Sequence, residues 1–370
     1  MWKFESYLKE HKIAMLDVGE CLAEQYENID TWPVYRPLVK RSDKNLFKLY
    51  EHLPHSIQQK IDGSKWYGEW KHHIADYDTV IIGNSLRGRD VIEYIQSRNP
   101  KARIIVYYTS IIGAKNRKDP RRFAGLDIDF CTFDKGDSER FGIRYLPYYY
   151  SPLAQPLSEL RKENAAFQPE QDVFFVGMAY DRAEKLVKMH EIFQEQGITD
   201  KLIIVKNPHQ HYKEHIARHL TENHMTYDEI IQEIRKSRCI LEIVQSGQQG
   251  ISLRPMEAAT YQRKLITDNK NTINYDLYTP DNIFIIGIDL IEKLKDFIRR
   301  PYIPLPDKTL EKYTPQYWLD ALMFCDCRQN YSSMPFSNPC PNPIIASASV
   351  ARTPLPLLET TLFSFQHHLQ

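Results

Sequence analysis

The sequence predicts an α/β protein of two Rossmann-like domains facing each other across a cleft. Three observations predict it. Short apolar runs alternate with segments of helical period, so that strand, helix and strand follow within about thirty residues, the signature of a parallel βαβ unit. The alternation breaks at a polar stretch carrying several prolines and then restarts. The chain is also long enough, at 370 residues, for two domains of ordinary size.

The elements follow in order. Residues 12–17 form a short apolar run before Gly19 and read as an opening strand. Residues 79–83 are a clearer strand, followed by a polar turn at Asn84 and Ser85. A helix over 90–97 then places Val91, Ile92 and Ile95 on one face, and Pro100 closes it. Residues 103–108 are the next strand, and 129–133 and the tyrosine-rich 145–150 add two short extended pieces. Together 1–150 make the first domain. Pro152, Pro156 and Pro169 mark 151–171 as a linker. The second domain, 172–324, repeats the pattern, with strands at 172–177, 201–205, 239–244, 264–267 and 282–286. Helices are expected at 181–196, 226–236, 252–261 and 289–299. From Cys325 the composition changes to proline, serine and alanine with few charges, which predicts an irregular tail over 325–370.

Composition excludes several classes of protein. Lys+Arg and Asp+Glu both number 48, so no global field draws the chain to nucleic acid or lipid, and any such partner needs a local patch. Hydrophobic residues at 42% with 26% charged exclude a disordered or fibrous chain. No run approaches the about 18 apolar residues of a membrane-spanning helix. The charged start lacks an apolar signal region, and six cysteines over this length make no disulfide framework, which together point to the cytoplasm. Cys325, Cys327 and Cys340 have poor zinc spacing. His211, His215 and His219 share a helical face but lack a completing carboxylate or thiolate, so a solvated face is the better reading.

In open parallel sheets, ligands bind where loops and helix N-termini converge at the carboxyl ends of the strands. The segment from Val244 to Glu257 is the most informative such place. A buried strand gives way to a polar loop containing Gly247 and Gly250, and a helix begins near Ser252. Glycines let the backbone approach a ligand, and free N–H groups at a helix start favour phosphate. Arg254 in the first turn can fork onto a diphosphate, and Pro255 fits where a missing N–H costs nothing. Glu257, three residues after Arg254, shares its face and can accept bonds from ribose hydroxyls. The same spacing also suits an Arg–Glu pair on a capped surface helix.

Residues 249–257, then 264–269 and 275–283, resemble the C-terminal domain of bacterial glycosyltransferases of the GT-B type that build lipopolysaccharide and capsular polysaccharide. The strand 172–177 with Arg182 is similar to the opening of the donor domain in such enzymes, and Phe133-Asp134 with 145–150 resembles the end of their first domain. The resemblance spans roughly residues 10 to 320 and is strongest over 172–287. It implies that Glu257 holds the ribose of a nucleotide sugar. It also implies that Gly177, Arg182 and Lys206, after the first two strands of the domain, lie against the pyrophosphate, with Gly250, Ser252 and Arg254 completing the donor site. Enzymes of this kind often carry two glutamates eight residues apart. Here Gln249 stands at the earlier position and can make only neutral hydrogen bonds.

On the opposite side, Asn84 ends a strand where it can face the acceptor. Asp17 stands where a general base would meet an acceptor hydroxyl, or serves simply as a loop cap. Lys115, Arg117, Lys118, Arg121 and Arg122 form a basic loop. It is either solvated or, by the resemblance, close to anionic headgroups or a lipid-linked pyrophosphate at the inner face of the plasma membrane. No stacking platform accompanies it, so nucleic acid fits poorly. The expected activity is transfer of a sugar from a nucleotide donor to an acceptor hydroxyl of surface polysaccharide, without cofactor or metal. A non-catalytic scaffold of the same fold and a nucleotide-sugar epimerase are the rival expectations.

Overall fold

The computed structural model describes residues 2–112, 118–164, 168–246, 248 and 250–324. Lys115, Arg117, Gly247, Gln249 and the tail from Cys325 lie outside the described residues. Two six-stranded sheets, parallel throughout, organise the chain. The first contains β1 (Ile13–Leu16), β2 (Ile29–Trp32), β3 (Thr79–Ile82), β4 (Arg103–Tyr108), β5 (Asp129–Thr132) and β6 (Arg144–Tyr145), in the order 2-1-3-4-5-6. The second contains β7 (Gln171–Met178), β8 (Asp200–Val205), β9 (Leu220–Thr221), β10 (Ser237–Glu242), β11 (Lys264–Thr267) and β12 (Ile283–Ile285), in the order 12-11-10-7-8-9. Both are doubly wound Rossmann-like sheets, as the sequence predicts.

All four residues of β1 and of β3 are buried, which explains their unbroken apolar runs: helices cover both faces of each sheet. One face of the first sheet packs Val80, Ile82 and Ile104 against Val91, Ile92 and Ile95 of the helix Arg89–Arg98. Edge strand β2 buries only Ile29, and β9 has just two half-buried residues, so neither carries the apolar signal of the strands inside them.

Two segments differ from the sequence reading. The stretch read as a linker over 151–171 holds a 3-10 turn, Ser151–Ala154, and a helix, Leu157–Asn164. Leu153 and Leu160 are buried in the core of the second sheet. Pro152 and Pro156 stand at the starts of these helical turns, and Pro169 precedes β7. The helix Pro315–Phe324, read with the second domain, packs on the first sheet: Trp318, Leu319, Leu322 and Met323 join Phe4, Leu8, Ile13 and Met15 in one cluster. Its final carbonyls are held by arginines of the first sheet. Arg103 donates to Met323 O at 2.6 Å, and Arg144 donates to Ala321 O at 3.2 Å and Leu322 O at 2.8 Å. Cations at a helix C-terminus also meet the favourable end of its dipole. The chain thus crosses between the two sheets twice.

Candidate donor site

The second sheet reverses its winding between β7 and β10, because β7–β8–β9 run one way and β10–β11–β12 the other. Ligands of doubly wound sheets bind at that reversal, outside the carboxyl ends of the strands. Here the β10 loop and the start of the helix Leu253–Thr260 converge on the end of β7. Ser252 is the helix cap, and its Oγ accepts from Arg254 N at 3.1 Å. The same hydroxyl donates to Glu242 Oε1 at 2.5 Å, while Thr267 Oγ1 donates to Glu242 Oε2 at 2.6 Å. Glu242 is buried, and that burial raises its pKa. A lone carboxylate inside an apolar strand was the sequence signal for it, and the motif reasoning passed over it.

Arg254 and Glu257 pair, as their spacing allows, but the pair is not a surface one. The Glu257 side chain is 1% exposed, and Arg254 also donates to Val176 O of β7 at 3.1 Å. The other oxygen of Glu257 accepts from Tyr227 Oη at 3.2 Å, and Tyr227 and Tyr150 hydroxyls lie 2.9 Å apart. Since a carboxylate only accepts, Tyr227 donates to Glu257 and Tyr150 to Tyr227. Burial, with the nearby Glu257 charge adding to it, pushes both phenols well above their ordinary values, so both keep their protons. Neither tyrosine was anticipated.

Arg182 turns back over the end of β7. It donates to Met178 O at 3.0 Å and Ile243 O at 2.5 Å, and its guanidinium lies 5.4 Å from the centre of the Phe175 ring. It therefore ties the ends of the two reversal strands together. A Cβ at position 177 would stand 2.8 Å from Arg182 Nη2, so Gly177 opens the path this side chain follows. Asp181 accepts from Ser246 N at 3.0 Å and so holds the β10 loop from the β7 side.

Gly250 is the point where the first half of the molecule reaches this site. Its N–H donates to Asp134 Oδ2 at 2.6 Å. The other oxygen of Asp134 caps its own helix, Lys135–Phe141, by accepting from Asp137 N at 3.0 Å. A Cβ on residue 250 would lie 3.0 Å from Phe133 O, so backbone meets backbone here and only glycine fits without displacement. Beside it, Lys135 Nζ sits 4.4 Å from the centre of the Tyr275 ring.

The structure thus brings Gly177, Arg182, Gly250, Ser252, Arg254 and Glu257 to one crevice. Lys206 follows β8, one strand further out, is exposed, and has Glu222 as its ion partner at 3.7 Å. Asp17 and Asn84 occupy the corresponding reversal of the first sheet, between β1 and β3. Asp17 is exposed at φ 55°, and its Oδ2 accepts from Val34 N at 3.1 Å, which is loop-capping geometry. Asn84 donates to Ser110 Oγ at 2.6 Å, and its buried Oδ1 has no partner among the described residues. In the basic loop, Lys118 is half-buried, Arg121 pairs with Asp119 and Arg122 is exposed. Among the described residues no group of three His, Cys, Asp or Glu side chains could hold a metal ion.

No protein-family model matches the chain, and no curated protein does. Solved structures of similar architecture exist. AviGT4, a glycosyltransferase involved in avilamycin A biosynthesis, is 10% identical over 84% of this chain and 94% of its own, with a TM-score of 0.44. Anabaena Alr3699/HepE in complex with UDP and glucose is 10% identical over 84% of this chain and 95% of its own, at 0.48. A UDP-N-acetylglucosamine 2-epimerase from Listeria monocytogenes, so described with reserve, is 10% identical over 82% and 90%, at 0.38.

Proposed function

We propose that the protein is a GT-B-type glycosyltransferase that moves a sugar from a nucleotide-sugar donor to an acceptor hydroxyl of surface polysaccharide. One observation carries this reading. At the winding reversal of the second sheet, a glycine loop, a serine-capped helix start and a buried Arg254–Glu257 pair sit together against the end of β7. Fold alone would not support it, since doubly wound sheets host many activities.

In this reading the diphosphate lies over the N-terminus of the helix Leu253–Thr260, where free N–H groups and Arg254 meet the charge that grows on the leaving group. Arg182 has two donors committed to backbone carbonyls, so its part is to fix the crevice and add positive field. Glu257 exchanges the Tyr227 hydroxyl for ribose hydroxyls when the donor enters. Lys206 reaches the outer phosphate only by leaving Glu222, and Gln249 supplies neutral hydrogen bonds to the sugar. The acceptor approaches past Asn84, and the basic loop with Lys118, Arg121 and Arg122 meets an anionic, lipid-linked acceptor. Inversion at the sugar requires a base, which Asp17 supplies; retention does without one. Arginine and the helix start neutralise the diphosphate, so no metal is needed for the chemistry.

The second reading, a non-catalytic scaffold, has its own observation: Glu257 is sealed by two partners and the Gly250 N–H is already taken by Asp134. Incubation with a panel of labelled nucleotide sugars, with and without a chelator, separates the two. The transferase reading expects one donor to release its nucleoside diphosphate, unaffected by chelation and lost in Arg254→Ala. No turnover of any donor favours the scaffold.

A further inference from the structure

Four of the eleven strongly exposed large apolar side chains among the described residues fall within one nineteen-residue stretch: Val39, Leu46, Leu49 and Ile57, at 84%, 54%, 63% and 45% exposure. They surround the helix Arg41–His52, whose inner face buries Phe47 and Tyr50 against Trp66. At 100° per residue, Leu46, Leu49 and the C-cap Leu53 form a stripe beside that inner face, and Lys44, Lys48 and Arg41 form a row across the outer side. The two acids of this helix are already engaged: Asp43 pairs with Arg36 at 3.1 Å and Glu51 with Arg87 at 3.0 Å. Among the described residues, Lys40, Arg41, Lys44 and Lys48 have no carboxylate partner. The surface therefore presents aliphatic side chains edged by unneutralised cations.

We propose that the helix Arg41–His52 and its flanking turns dock on an anionic lipid bilayer. The leucines enter the headgroup boundary and the lysines meet lipid phosphates, the arrangement of an interfacial helix that lies on a membrane without crossing it. Charge decides the occupant. A second copy of a chain with zero net charge offers no field to oppose this basic row, whereas an anionic surface does.

The placement gives the docking a purpose. Arg87, which holds Glu51 and lies 5.7 Å from the Phe47 ring centre, belongs to the loop after β3 that carries Asn84. Arg89 continues the contact by donating to Arg122 O at 3.2 Å. Docking therefore brings the acceptor-side loop and the exposed Arg122 to the membrane, where a lipid-linked acceptor resides. That consequence rests on the transferase reading; the docking itself does not.

The test sediments the full chain with vesicles of phosphatidylcholine alone or mixed with phosphatidylglycerol, at low and raised salt. The account expects binding to the anionic vesicles only, weakened by salt, and weakened roughly tenfold or more in both Leu46→Ser/Leu49→Ser and Lys44→Glu/Lys48→Glu. These side chains are exposed, so both variants fold and retain any thermal shift with nucleotide. That separates failure here from failure of the transferase reading. Absence of binding to anionic vesicles, or equal binding by the variants, overturns the proposal. So does self-association abolished by the leucine variant without vesicle binding, which would make a second copy the occupant.

Discussion

At the reversal of the first sheet, Asp17 is exposed and caps a loop through Val34, and Asn84 holds Ser110 with one oxygen unsatisfied. At the equivalent reversal of the second sheet, Glu242, Glu257, Arg182 and Arg254 are built into a layered network in which every carboxylate oxygen named above has a partner. The winding logic is shared, but the electrostatic content is not. Buried ionisable groups are costly unless they are hydrogen-bonded or paired, and such a network is built at only one of the two similar reversals.

The comparison can be broken most forcefully at Glu257. Glu257→Ala leaves the half-buried Arg254 without its ion partner and Tyr227 without its acceptor, and is expected to cost about 3 kcal/mol of unfolding free energy, measured by denaturant titration. A loss no larger than that of an exposed substitution would mean the pair is not part of a buried network. Gly250→Ala comes next. The added methyl meets Phe133 O, and the cost expected is about 1–3 kcal/mol unless the two halves separate locally, which hydrogen exchange at Gly250 and Asp137 would reveal.

Glu242 sharpens the account through pH. Its pKa in the fold is raised by burial, so the neutral form is the one the fold favours. Its contribution is fully present below the ordinary glutamate value of 4.5 and is lost as pH rises toward the raised value. Glu242→Gln lacks this titration. The melting temperature of the native protein relative to this variant should therefore fall as pH rises past 4.5. A difference independent of pH would contradict the assignment.

The smallest effect belongs to the sparse side. Asp17→Asn keeps an oxygen for Val34 N–H and tolerates the left-handed backbone, so stability should change by less than about 0.5 kcal/mol. Transfer activity distinguishes the roles of this residue. A base is worth roughly a hundredfold or more in rate, and a loop cap is worth nothing measurable there.

The strands inside each sheet were legible because burial on both faces demands apolar runs, as in 79–83 and 264–267. Edge strands β2 and β9 were not, since few of their residues are buried and nothing in IDTW or LT demands a sheet. The helix Arg41–His52 escaped for a related reason: its exposed leucines blur the helical period that Phe47 and Tyr50 would otherwise set. At the site, Arg254 and Glu257 could be found because they lie three residues apart beside a glycine loop. Asp134, Tyr150 and Tyr227 could not, because their bonds to Gly250, Tyr227 and Glu257 span 116, 77 and 30 positions, across the fold rather than along the chain. Phe133-Asp134 carried a family likeness but no hint that the carboxylate would bridge the two halves.

The central claim is that the winding reversal between β7 and β10 binds the nucleotide of a nucleotide sugar. It is tested most directly by thermal unfolding of the full chain against UDP, GDP, CMP, ADP and dTDP, beside Arg254→Ala and Glu257→Ala. A ligand at about 100 times its dissociation constant adds roughly 2.7 kcal/mol of stability. The account predicts an upward shift with one of these nucleotides that both substitutions abolish. No shift with any of them, or a shift that survives both substitutions, would contradict it.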